Sequence, residues 1–244
     1  MYVDALWLKK KGCSKPEHFE DVMHKISSRT GLAIALDGIY RWVAFLPSKT
    51  DPRVPIPNRY FGVFQSGEIK VRGLEARRRD TPRWIAQVQT EMLTCLGQAK
   101  TRAELPEALH AAFHVYEQAV KRLKQSQVPP ELLVVNGKVS YALEAYKSAT
   151  ASVRAARQLQ TAGMQIRPGQ RVRFLFMQGE PDVYAWELGG QVDPAKLDQH
   201  KYLELLAKAG GSVLLPFGID PQVLMEWTLK GGIQLPLDTW NKAL

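Results

Sequence analysis

The chain has 244 residues, 45% hydrophobic and 23% charged, which is enough apolar material for a real core and excludes wholesale disorder. Two cysteines exclude a disulfide framework and a Cys-rich zinc site, and no apolar run approaches the ~18 residues that span a bilayer. The formal charge of +9 is uneven: residues 1–178 carry +13 and residues 179–244 carry −4, so an acidic partner, nucleic acid being the commonest, is expected against the first three quarters.

Tyr2-Val3-Asp4-Ala5-Leu6-Trp7-Leu8 reads as a strand that begins without a lead-in, the pattern of a domain with a partner upstream. Lys9, Lys10 and Lys11 follow this apolar stretch rather than precede it, so it is no signal peptide and a reducing, cytoplasmic setting is expected. Phe19, Val22, Met23 and Ile26 recur at helical spacing over 16–29, with Gly31 as the stop. Leu32 to Leu46 has strand composition with a turn or bulge at Asp37-Gly38, and Pro47, Pro52, Pro55 and Pro57 mark an irregular loop. The runs 59–64 and 69–72 flank Gln65-Ser66-Gly67-Glu68 as a hairpin.

Thr81-Pro82 then opens a helix with Ile85, Val88, Met92 and Leu96 on one face. Residues 104–124 are expected to be helical and to end before Pro129-Pro130. The β-prone piece Leu132–Val135 meets a turn at Asn136-Gly137, and 141–160 reads as helix again. Residues 171–177 and 183–188 read as a strand pair, and two or three helices follow Pro194. The fold class expected is α+β, mixed to about residue 95 and mostly helical afterwards.

No P-loop, dinucleotide fingerprint, His-Glu-x-x-His or Gly-x-Ser-x-Gly is present. His110 and His114 lie four apart, which reads as a helix face rather than a metal pair. The densest basic segment runs from Lys70 to Asp80. In a strand Lys70 and Arg72 share one face, Gly73 lets a second backbone approach, and Arg77, Arg78 and Arg79 precede a helix N-terminus that also favours anions. Two readings stay open: a sequence-independent grip on a phosphate backbone, or a solvated arginine cluster paired with Glu75 and Asp80. Arg154 and Arg157 form a second patch on one helix face, which in isolation reads as ordinary solvated surface. Asp4 stands alone as a carboxylate in an apolar strand.

Taken in order from about Tyr2 to Phe217, these segments resemble the C-terminal part of family B DNA polymerases, in a divergent archaeal or bacterial branch. The resemblance rests on Arg59-Tyr60-Phe61-Gly62, on 70–80, and on Tyr141, Val153-Arg154-Ala155-Ala156-Arg157-Gln158-Leu159, Gly163 and Ile166-Arg167-Pro168-Gly169-Gln170. It implies a partial palm of antiparallel strands and helices over 1–97 and a mostly helical thumb over 98–244. It further implies that Asp4 is a catalytic residue binding Mg2+, that Arg59 and Tyr60 face the primer-template minor groove, and that Lys70, Arg72 and Arg77 to Arg79 hold primer phosphates beside Gly73. Arg154 and Arg157 become further backbone contacts of the thumb.

The family's paired aspartates are reduced here to Asp4, with Tyr2 at the first position. Two-metal phosphoryl transfer needs carboxylates clamping both ions. The chain alone is therefore expected to be inactive and to work with an upstream palm and fingers polypeptide on primer-template DNA and deoxynucleoside triphosphates, away from any membrane. The alternative is a non-catalytic DNA-binding subunit or remnant of such an enzyme.

Overall fold

The computed structural model describes residues 5–48, 50–51 and 53–230. The expected hairpin sits at the centre of the first sheet, whose strands β1 (Tyr40–Pro47), β2 (Pro55–Phe64) and β3 (Ile69–Arg72) are antiparallel in the order β1-β2-β3. Gly67, at φ 91°, turns the chain, and the Phe64 amide donates to the Glu68 carbonyl at 2.9 Å. Strand alternation sends Phe61 and Val63 to one face and Tyr60 and Phe64 to the other, and all four are buried. The inner face meets α2 (Arg83–Gly97): a Cβ at Gly97 would lie 3.0 Å from the Ile69 side chain, so glycine lets the helix end close on the sheet. On the outer face the Trp7 indole stands edge-on to Phe45 and Tyr60, with ring centroids at 5.2 and 5.4 Å.

Helix α1 (Glu20–Thr30) follows a single 3-10 turn, Pro16–Phe19, and stops at Gly31 with φ 69°, as expected. No residue of α1 is buried, and over 5–48 only Phe19 and Leu46 are. The strand read at 2–8 is not seen at residues 5–8, which are irregular; residues 1–4 lie outside the described part. The strand expected over 32–46 starts only at Tyr40. Tyr40 pairs with Phe64, the last residue of β2, and past it the Gln65 amide donates to the Ile39 carbonyl at 2.8 Å where the chain turns, so 32–38 has no strand alongside to extend the ladder.

Helices α2, α3 (Leu105–Lys124), α5 (Gln199–Leu214) and α6 (Pro221–Lys230) pack together. Gly210 of α5 lies under Tyr116 of α3, where a Cβ would come within 2.5 Å of the ring. A second antiparallel sheet, β4 (Val135–Lys138), β5 (Arg171–Phe176) and β6 (Val183–Ala185) in that order, carries α4 (Ala151–Thr161) on one face. One buried cluster runs from Leu46 and Phe61 through the helices to Phe174 and Leu224, giving an α+β architecture without a break in its core.

Two local readings are corrected in this second half. Asn136-Gly137 is not a turn but lies inside β4, paired with Arg173 and Val172. A Cβ at Gly137 would sit 2.4 Å from the Ser152 Cβ, so the glycine serves the close approach of α4. The helix read over 141–160 is confined to α4. The loop before it is held by the Tyr146 hydroxyl, which accepts from the Ser140 and Tyr141 amides at 2.6 and 3.1 Å. No helix among the described residues is long and apolar enough to cross a membrane.

Candidate functional site

The end of β3, a bend at Gly73 and a one-turn 3-10 helix, Glu75–Arg77, deliver the basic run to the surface. Gly73 has φ 67°, and a Cβ there would lie 2.2 Å from the Asn58 carbonyl oxygen, so this crossing of two backbones admits only glycine. At Arg78 the chain becomes extended and carries Arg78 and Arg79 into a cleft of about 570 Å3. The opposite wall is the second sheet and the start of α4: Lys138 of β4, Arg171 of β5, and Thr150 to Ser152.

Lys138 and Arg171 are direct partners across the β4–β5 ladder, so their side chains leave the sheet on the same face. Both are exposed, and neither has a salt bridge among the described residues. Like charges placed opposite each other in a sheet repel. Thr150 makes no side-chain cap to the first turn of α4, whose free N–H groups add the positive end of a helix to the same wall. The one carboxylate lining the cleft, Asp80, is held by Arg78 through Nε–Oδ1 at 3.0 Å and Nη2–Oδ2 at 2.6 Å. That bidentate contact, against partial burial, holds the Asp80 carboxyl below the usual aspartate range.

Arg77 and Arg72 are exposed and without ion pairs among the described residues but do not line this cleft, Arg72 pairing with Tyr60 across the β2–β3 ladder, whereas Lys70 is paired with Asp37 at 3.1 Å. Arg59 turns inward: Nε donates to the Gly73 carbonyl at 3.3 Å, Nη2 donates to Ser212 Oγ at 3.3 Å, and Nη2 lies 3.6 Å from Glu75 Oε1. Tyr60 is buried between Trp7 and Phe45. Arg154 and Arg157 do not reach the cleft. They border a separate groove with Gln158, Pro181 and Leu188, where Arg154 is tied to Asp182 and to the Ala149 carbonyl. Arg157 keeps one long contact, 3.5 Å to the Leu143 carbonyl.

Asp4, the expected metal ligand, lies outside the described residues, and among the described residues no group of three or more His, Cys, Asp or Glu side chains converges. Sequence reasoning missed Lys138, whose importance comes from its register against Arg171. It also missed Gln89, fully buried on the apolar face of α2. The signal for Gln89 was available: an amide at helical spacing between Ile85 and Met92 needs internal partners.

Comparison with known proteins agrees on one family. The description DNA polymerase family B matches residues 56–208. DNA polymerase 1 of Saccharolobus solfataricus is 24% identical over 202 residues, which are 82% of this chain and 22% of that protein. A DNA polymerase of a Thermococcus species, strain GE8, is 28% identical over 189 residues, 76% of this chain and 10% of that protein. The chain thus spans less than a quarter of either relative. Among solved structures, the family B DNA polymerase of the hyperthermophilic archaeon Pyrobaculum calidifontis shares the fold with a TM-score of 0.59 at 21% identity, over 84% of this chain and 25% of that one.

Proposed function

Because the chain belongs to DNA polymerase family B, we propose that it forms the end of the palm (1–97) and the thumb (98–244) of such an enzyme and grips primer-template duplex by its phosphates. The observation that carries this reading is the facing pair Lys138 and Arg171, set opposite Arg78 and Arg79 across one cleft. Four cations held together with a single carboxylate in reach are stabilised by a polyanion, and contacts to phosphate are independent of sequence. Arg72 and Arg77, exposed on either side of the Gly73 bend, would add further phosphate contacts. Arg59, Tyr60 and Arg154 take structural roles instead of holding DNA, since each is committed to protein partners.

In this reading Asp4 contributes one carboxylate to Mg2+, and the remaining ligands and the nucleotide-binding groups come from an upstream palm and fingers part. Magnesium would there neutralise charge on the phosphates as a nucleotidyl group passes from a deoxynucleoside triphosphate to the primer 3′-hydroxyl and pyrophosphate leaves. The test is binding of the 244-residue chain to primer-template duplex across a salt series. Affinity should fall steeply with salt for every duplex sequence, and Arg79→Gln with Arg171→Gln should flatten that dependence. Binding that ignores salt, or that survives this double change intact, would overturn the reading.

Tyr2 in place of the family's first aspartate favours a second reading, a DNA-binding subunit without a catalytic role. Adding an upstream palm and fingers polypeptide separates the two. Nucleotide incorporation abolished by Asp4→Ala supports catalysis, and incorporation indifferent to that change supports the non-catalytic subunit.

A further inference from the structure

Gln89 is fully buried on α2 and uses both ends of its amide. Its Oε1 accepts from the Ala76 amide at 2.6 Å. Its Nε2 donates to Glu75 Oε2 at 3.0 Å and to the Ala209 carbonyl of α5 at 2.7 Å. Glu75 is itself buried, and its other oxygen faces Arg59, whose guanidinium also reaches Ser212 of α5. A single neutral side chain therefore joins three parts of the chain: the turn that launches the arginine run, helix α2, and helix α5.

The geometry points to Gln89 as a positioning residue for the DNA grip. It fixes the backbone at Glu75 and Ala76 so that Arg78 and Arg79 leave the turn toward Lys138 and Arg171. The inference rests on the proposed DNA-binding function, but it concerns a residue with no access to DNA. The physical basis is the cost of the alternative. Freed from Gln89, the Ala76 N–H would lose its partner and Glu75 Oε2 would be buried without one, Arg59 facing only Oε1, so the segment would move outward to reach water. That movement takes the origin of the arginine run with it. An amide suits the position because it donates to a carboxylate and accepts from a backbone N–H at once, which neither a carboxylate nor an ammonium can do.

The experiment is a cycle of variants of the full chain, read by duplex affinity at several salt concentrations. Gln89→Met keeps the length and apolar stem of the side chain and removes its polar end. If Gln89 acts through the arginines, this change lowers affinity about tenfold and reduces the salt slope by about 2, since each lost phosphate contact removes about 0.9. In an Arg78→Gln, Arg79→Gln background the same change should then cost nothing further. An equal cost in both backgrounds, or an unchanged slope, would overturn the inference, because a merely stabilising residue acts independently of the arginines.

Gln89→Asn, which keeps the amide but draws it back by one methylene from Ala76, Glu75 and Ala209, serves as the second variant should the first fail to fold. It should lower affinity by a smaller factor, again only when the arginines are present, and equal affinity to wild type would count against the role. Amide exchange at residues 75–79, measured without DNA, stands apart from the functional reading. Faster exchange in the variants supports Gln89 as the anchor of this segment, and unchanged exchange overturns it even if wild-type binding is strong. Failure of wild-type binding would instead sink the proposed function, with the exchange result still deciding the anchoring.

Discussion

Arg154 and Asp182 form a two-point ion pair between α4 and the segment before β6, with Nε–Oδ1 at 2.7 Å and Nη2–Oδ2 at 2.5 Å. The fork of the guanidinium matches the carboxylate, and Nη1 is left to bond the Ala149 carbonyl at the start of the helix. A side chain with every donor group so engaged has little left for phosphate. Arg154→Ala should lower stability by about 1 kcal/mol, a modest figure because both partners are partly solvated. Urea unfolding should show this loss, while the salt slope of duplex binding stays at its wild-type value.

Lys138 and Arg171 pair in register with like charges and no salt bridge among the described residues, so the free protein bears a repulsion that DNA would relieve under the proposed function. Lys138→Thr should raise the stability of the free chain by a few tenths of a kcal/mol and weaken duplex binding severalfold. Thermal melts with and without duplex read both effects: the variant should melt higher alone and gain less from DNA.

At Gly137 the constraint is steric. Alanine there would place its Cβ 2.4 Å from Ser152, and the contact involves the first turn of α4 rather than the end of a flexible side chain. Gly137→Ala should cost about 1–3 kcal/mol and displace the helix start from the cleft wall. The measurement is the denaturant midpoint, accompanied by duplex affinity, and both should fall.

Burial pushes the Tyr116 and Tyr202 phenols well above the usual tyrosine range, in Tyr116 against a hydrogen bond with Thr228 that partly offsets it. A raised folded-state value favours the neutral form in the native protein. The associated stability is therefore fully present below the unfolded value of about 10 and is lost as pH rises above it, where only the unfolded chain ionises freely. Melting temperatures should decline from about pH 10 upward. Tyr116→Phe should flatten that decline while lowering stability near neutrality through the partner lost by Thr228.

Elements whose cause is local were legible in the sequence. The hairpin at 65–68 rests on Gly67, α2 on its apolar stripe after Pro82, and the stop of α1 on Gly31. Elements decided by distant partners were not. Residues 32–38 have strand composition but no strand to pair with, and Asn136-Gly137 reads as a turn until α4 and β5 crowd against it. The arginine run was visible as a cluster, whereas its facing wall depended on the register of Lys138 against Arg171, which separates them by 33 positions in the chain. Arg59 and Arg154 looked equally cationic in sequence, and only the positions of Gly73, Ser212 and Asp182 show them spent on internal contacts.

The uninterrupted buried cluster from Phe61 to Leu224 has a mechanical consequence. A jaw needs a seam across which two bodies can swing, and the residues on either side of position 97 share packing instead: Leu96 and Ala99 belong to the same interior as Leu105 and Leu109. The turn that launches the arginine run, anchored by buried Leu74 and Glu75, is packed into this interior, so on the proposed function that wall of the groove would be set before any duplex arrives. Little ordering of that wall would then be left to be done at the moment of association, so the attraction of its cations for the sugar-phosphate rails would go largely into affinity.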